Sequence, residues 1–208
     1  MFRRTFKIIP PDTIIWYWTE QDKLTAPDRR LGDSFGYSVS TDGTYAVIGA
    51  IGDDEKGINS GSVYVFKRDG LIWQYQTKLT ASDGEPNDFF GGSVSLSGDN
   101  ICIGAKGDDR GTDSGSAYVF KRDGSNWVEQ AKLHASDGMA GDFFGNSVSI
   151  SGFNIMVGAS RKREFAGPET GAAYPFGQLC PSADLSGDCF VDFTDLAMFV
   201  DQWLEGEE

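Results

Sequence analysis

Cysteine is scarce in this chain of 208 residues, histidine is scarcer, and basic residues are outnumbered by acidic ones. The single histidine, His134, leaves no Ser/His/Asp or Cys/His set from which a nucleophilic centre could be assembled. It stands where earlier copies of the same pattern carry Thr25 and Thr80, so it reads as drift within a repeat. The three cysteines, Cys102, Cys180 and Cys189, include no Cys-x-x-Cys pair, which removes the usual signature of zinc and redox sites. Cys102 lies in the apolar run Asn100–Gly104 and reads as a small buried hydrophobe. Cys180 and Cys189 flank a short acidic loop; they either pair in an oxidising compartment or remain two thiols. Lys and Arg total 18 against 31 Asp and Glu, a formal net charge of −13. Nucleic-acid phosphates call for the opposite sign, so no nucleic-acid partner is expected. The acidic excess favours solubility and cation binding instead. The glycines are not followed by the Lys-Ser/Thr of a phosphate-cradling loop. Together these absences lead us to expect no enzyme.

Long apolar runs are also missing, and none approaches the length of a transmembrane helix. The segment Met1–Lys7 is basic, as a secretion signal begins, but Pro10, Pro11 and Asp12 interrupt the apolar stretch behind it. A signal peptide is therefore not evident, and an exported protein would be expected to carry its signal outside this chain.

What the sequence has in abundance is repetition. Lys23-Leu-Thr-Ala26 returns as Lys78–Ala81 and as Lys132-Leu-His-Ala135. Asp33–Ser40 returns as Asp88–Ser95 and Asp142–Ser149, and Gly49-Ala50 as Gly104-Ala105 and Gly158-Ala159. Ser60–Phe66 returns as Ser114–Phe120 and, degenerately, as Thr170–Phe176. Trp18, Trp73 and Trp127 each precede the lysine of the next copy at the same spacing. The middle unit divides into four strand-like runs, Ser93–Ser97, Asn100–Gly104, Ser116–Lys121 and Asn126–Leu133, separated by turn residues such as Gly98-Asp99. Alternation puts Tyr118 and Phe120 on one face, Val119 and Lys121 on the other. Four antiparallel strands per unit is the blade of a β-propeller, and the expected fold class is all-β. Phe35, Phe90 and Phe144 are placed to wedge between blades, with the glycine behind each allowing close backbone approach. The Gly-Ala pairs suit a strand end packed near a narrow central channel.

Phe-Gly followed by Gly-Ala at this period resembles the FG-GAP repeat, the blade type of the integrin alpha-chain propeller. The resemblance spans residues 18–176 and implies a binding scaffold used in adhesion or recognition outside cells. Its calcium box does not carry over, because the corresponding turns at Thr41–Gly43, Gly98-Asp99 and Gly152-Phe153 are too short. Asp53-Asp54, Asp108-Asp109 and Asp113 form a second acidic feature, expected as a solvated loop or a cation site. The third unit has the basic run Arg161–Arg163 in that place.

The phase of the repeat opens on a fourth strand, expected at Trp18–Leu24, and ends on a third strand near Phe176. Closed propellers usually need about four or more blades. Three units are therefore expected to be part of a longer propeller, to self-associate with a second chain, or to form an open arc.

After Phe176 the pattern changes. Asp184, Ser186, Asp188, Asp192 and Asp195 fall at positions one, three, five, nine and twelve of a loop, and Phe190 at position seven offers its carbonyl. That is the oxygen-donor spacing of an EF-hand loop wrapped around a calcium ion at about 2.4 Å. Cys189 stands where glycine usually makes the sharp turn. Leu196, Phe199, Val200, Trp203 and Leu204 then recur at helical spacing. A loop ending in Asp and leading into such a helix resembles half of a type I dockerin, which implies calcium and a cohesin-like partner.

The expected organisation is an N-terminal segment over 1–17, three blades over 18–176, and a calcium loop with helix over 177–208. The expected function is an extracellular or cell-surface recognition or adhesion module whose partners are proteins or glycans. The alternative is a non-catalytic portion of a secreted polysaccharide-degrading enzyme, anchored through the dockerin-like tail.

Overall fold

A computed structural model describes residues 2–9, 13–108, 114–163 and 167–177, with side chains described from Trp18 onward. The calcium-loop residues Asp184, Ser186, Asp188, Phe190, Asp192 and Asp195, and both Cys180 and Cys189, lie outside the described residues, as do Asp109 and Asp113.

Each repeat folds into one antiparallel sheet. The first blade is β3 (Phe35–Thr41), β4 (Tyr45–Ala50), β5 (Ser62–Asp69) and β6 (Ile72–Leu79), ordered as in the sequence. The second is β7 (Ser93–Ser97), β8 (Asn100–Ala105), β9 (Ser116–Asp123) and β10 (Asn126–Leu133). The third has three strands among the described residues: β11 (Phe144–Ser151), β12 (Asn154–Ala159) and β13 (Ala172–Gly177). This all-β arrangement of blades is the partial propeller expected from the repeats.

The N-terminus differs from expectation. A strand was expected at Trp18–Leu24; instead β2 covers Thr13–Glu20 and pairs with β1 (Phe2–Ile9) as a separate antiparallel hairpin. Residues 21–26 run outside any strand, and Leu24 and Ala26 pack onto the first blade. They take the place that Leu79 and Ala81 hold between the first and second blades.

The core is built between blades rather than within them. Val47, Val63 and Val65 of the first blade meet Ile101, Ile103, Tyr118 and Phe120 of the second, all at most 4% exposed. Cys102 and Ala117 of the second blade meet Phe144, Ile150 and Val157 of the third. Strand alternation makes this possible, since odd and even positions of one strand serve different junctions. Each blade thus has a leading face, carrying the Tyr–Phe pair, and a trailing face.

The repeated phenylalanine holds these junctions twice over. Its backbone N–H donates to the preceding blade, Phe90 to Ser60 O and Phe144 to Ser114 O, both at 2.9 Å. Its ring packs edge-on against its own blade, Phe90 on Tyr118 at 5.4 Å and Phe144 on Tyr174 at 5.5 Å. The Gly-Ala glycines also answer to blade contact. A Cβ on Gly49 would lie 2.1 Å from Gly91 O of the next blade, and one on Gly104 only 1.9 Å from Gly145 O.

Candidate functional site

The most chemically loaded place in each blade is a cluster where the last strand meets the long connections. Tyr64 on β5 and Lys78 on β6 are direct cross-strand partners, so both side chains rise on one face. Asp53 reaches them from the connection after β4, and Asp28 from the segment leading into β3. Lys78 Nζ lies 3.0 Å from Asp28, 2.8 Å from Asp53 and 2.7 Å from Glu55. The Tyr64 hydroxyl stands 2.8 Å from Asp28 and 3.0 Å from Asp53. With one proton, it donates to one carboxylate at a time. Ser62 donates to Asp53 at 3.0 Å.

The second blade repeats this. Lys132 Nζ lies 2.7 Å from both Asp83 and Asp108, Tyr118 donates to Asp83 at 2.8 Å and contacts Asp108, and Ser116 donates to Asp108 at 3.1 Å. His134 Nδ1 lies 3.2 Å from Ser116 Oγ. Ser116 therefore stands between the imidazole and the carboxylate. A nucleophilic triad needs the imidazole in the middle, so this order is not one.

The third blade makes a substitution with a visible logic. At the place of Asp53 and Asp108 it has Lys162, and no fourth-strand lysine lies beside it among the described residues. The Lys162 ammonium, 5% exposed, takes the cation's part, 3.2 Å from Asp137 and 3.0 Å from Asp142, while Tyr174 donates to Asp137 at 2.8 Å.

Electrostatics in these clusters are settled by pairing. Burial pushes the carboxyls of Asp53 and Asp83 up, but hydrogen bonds from Lys78 and Ser62, and from Lys132 and Tyr118, outweigh it and hold both below the ordinary range. Burial disfavours the charge on Lys78 and Lys132, and the same carboxylates overcome that and raise both. Burial, then the bond to Asp137, pushes the Tyr174 phenol up to about 12; Tyr64 and Tyr118 move the same way. The clusters hold fixed charge. Asp88 is the exception: burial, with the nearby Asp108 carboxylate, pushes it up to about 6 against the opposing pull of the Glu85 N–H and Lys132.

Asp53 and Asp108 were expected in a solvated loop or around a cation. They are 5% and 3% exposed and bound to a lysine of the same blade, so neither expectation holds for them. Among the described residues, no group of three or more His, Cys, Asp or Glu side chains is arranged to hold a metal ion. The signal that sequence reasoning missed was the spacing of Tyr64 and Lys78, which places both on one face once β5 and β6 pair in register.

A second feature concerns the connections. The links before the first strand and between the second and third strands emerge at the same end of each blade and are long. The hairpins at the opposite end are short, as at Gly98-Asp99 and Gly124-Ser125. Exposed apolar side chains sit on the long links: Leu31 fully exposed, Ile58 at 68% and Met139 at 49%.

A family model described as FG-GAP repeat matches residues 18–66, 73–120 and 127–176, well over half of the chain. No curated protein matches.

Proposed function

Because the chain belongs to the FG-GAP repeat family, we propose that it is an extracellular or cell-surface recognition module with a calcium-binding tail. The observation that carries this reading is a division of labour at the long-link end of the blades. Buried charges are matched to one another below, and the long links above present exposed apolar tips at Leu31, Ile58 and Met139. Apolar side chains held on loops by a rigid sheet are the usual makings of a protein-binding or glycan-binding surface. Calcium enters through the spacing of Asp184, Ser186, Asp188, Asp192 and Asp195, with the Phe190 carbonyl.

The test is an array of extracellular proteins and glycans probed with the intact chain and with Leu31→Asp/Ile58→Asp. Binding lost in the variant supports the reading; no binding above background, or binding indifferent to the variant, overturns it. Calorimetric titration with calcium, alongside Asp188→Ala, checks the tail separately. A second reading, the non-catalytic portion of a secreted polysaccharide-degrading enzyme, is favoured by the dockerin-like order of that loop and the apolar stripe behind it. Capture by a cohesin-like module would support it.

A further inference from the structure

Both ends of the blade stack carry interface parts with no counterpart opposite them among the described residues. At the two junctions present, the same set of contacts recurs. A serine of the earlier blade donates to a glycine carbonyl of the later one, Ser38 to Gly91 at 2.7 Å and Ser93 to Gly145 at 2.8 Å. The serine two residues on accepts a backbone N–H from the later blade, Ser40 from Leu96 at 3.1 Å and Ser95 from Ile150 at 3.0 Å. A glycine lies under the same carbonyl, and a Ser-Gly pair bonds the incoming phenylalanine.

The trailing face of the third blade retains every one of these parts: Ser147, Ser149, Gly158 and Thr170-Gly171. Among the described residues, nothing occupies the opposite side. A Cβ on Gly158 would press only on Ser147 of its own blade, and one on Gly171 would find nothing closer than 3.5 Å. Met156 is 47% exposed where its equivalents Val47 and Cys102 are fully buried. The leading face of the first blade retains the reciprocal parts: Phe35, Gly36 with its φ of 93°, and the backbone of Thr41. Val39 there is 68% exposed where its equivalent Val94 is 9%.

A third gap matches them. At the first junction, Trp127 of the fourth strand packs edge-on against Tyr45 at 5.6 Å. At the second, the third blade has no fourth strand among the described residues. An apolar crevice of about 290 Å³ lies there instead, lined by Asn100, Val119, Leu133, Ile155 and Phe176. The residue at the corresponding place in the repeat, one blade earlier than the first, is Trp18, 63% exposed.

We propose that a second copy of this chain docks head to tail, its first-blade leading face on this chain's third-blade trailing face. Its Trp18 segment runs antiparallel along the outer edge of β13 and its indole enters the crevice. Ser149 Oγ then receives the partner copy's Thr41 N–H, and Ser147 and Gly158 meet its Gly36 carbonyl. Lys23 of the incoming segment approaches Asp137, whose side chain is 59% exposed, beside Lys162. Two ammonium groups then face the carboxylates of Asp137 and Asp142. A head-to-tail contact closes when the rotation per copy sums to a full turn. Propellers close at about four to eight blades, and the three matched repeats of two copies supply six.

Sedimentation equilibrium of the full chain over a wide concentration range tests this. The expected mass is that of two chains. Gly158→Val should weaken association about 100-fold, the scale of overpacking a closed contact. Trp18→Ala provides a second variant, on the opposite partner surface from Gly158. Circular dichroism and the dilute unfolding midpoint report whether each variant still folds. Mixing Thr41→Cys chains with Ser149→Cys chains should give a disulfide-linked pair that neither variant forms alone. A single-chain mass at every concentration overturns the proposal. So does a two-chain mass that survives both Gly158→Val and Trp18→Ala and yields no linked pair.

Discussion

The Lys162 ammonium lies 3.0 Å from the Asp142 carboxylate, and the two side chains are 5% and 2% exposed. In the first two blades the residue at the place of Lys162 is an aspartate, and the cation comes from the fourth strand. The third blade therefore keeps a lysine–carboxylate tie while drawing the lysine from the connection after β12 instead of a strand, and it gains a partner for Asp142 in doing so.

Removing that lysine strands a buried carboxylate. Lys162→Met should lower unfolding free energy by about 3 kcal/mol, the range for breaking a buried pair from one side. Lys162→Asp, which restores the residue type of the other repeats, should cost more, because it adds a third carboxylate beside Asp137 and Asp142. Urea unfolding monitored by tryptophan fluorescence checks both.

Asp88, at the equivalent place in the second blade, is a buried carboxyl whose charge burial disfavours. Its folded pKa is raised to about 6 from 3.8. For a raised carboxyl, the folded state holds the proton more tightly than the unfolded chain between those values. Its contribution is present in full below pH 3.8 and is lost as pH rises through about 6. Asp88→Asn retains the acceptor for the Glu85 N–H, at 2.7 Å. It should stabilise the protein at pH 7 by on the order of 2 kcal/mol relative to the parent and remove that part of the pH dependence. Asp53, Asp83 and Asp137 act in the opposite sense, since their lowered values lend stability above the ordinary carboxyl range that is lost on acidification. Unfolding curves at pH 4, 5, 6 and 7 for parent and variant separate the two effects.

The hydroxyl of Tyr118 is tied to Asp83 and Asp108, the latter 3% exposed. Tyr118→Phe keeps the ring contact with Phe90 and deletes only the donor. The expected loss is about 1.5–3 kcal/mol, the range for a hydrogen bond to a charged group. Lys132 still faces both carboxylates, so the fold should survive, and thermal unfolding gives the difference.

How much of this was legible in the sequence depended on whether a feature was local. The runs Ser93–Ser97 and Asn126–Leu133 are the observed β7 and β10, because alternation and turn residues mark both ends. Phe90 and Phe144 were placed at blade junctions for the right reason, a large ring beside a flexible glycine. What the small Gly49 and Gly104 meet is the next blade's carbonyl rather than a central channel, and only the packed blades reveal it. The acidic connection at Asp53 misled, since a carboxylate looks solvated until a tyrosine and a lysine from two other strands close over it. The first strand of the pattern shifted to Thr13–Glu20 because β1, without a copy elsewhere in the sequence, supplies its pairing partner. The calcium-loop spacing at Asp184–Asp195 lies outside the described residues.

The first and second blades also allow the worth of a neighbouring blade to be measured within one molecule. Phe90 is fully buried, with its ring on Tyr118 and Phe120 and its backbone bonded to the first blade. Phe35 makes the same ring contacts, with Tyr64 and Phe66 at 5.4 and 6.2 Å, but is only half-buried. Phe90→Ala should cost about 3–5 kcal/mol, the usual price of deleting a buried aromatic ring. Phe35→Ala should cost about half as much at dilute concentration, since less apolar area returns to water. The difference isolates what a preceding blade adds over the ring. If Phe35→Ala proved as damaging as Phe90→Ala in dilute solution, the preceding-blade contact would contribute nothing, and the junction would rest on contacts within each blade.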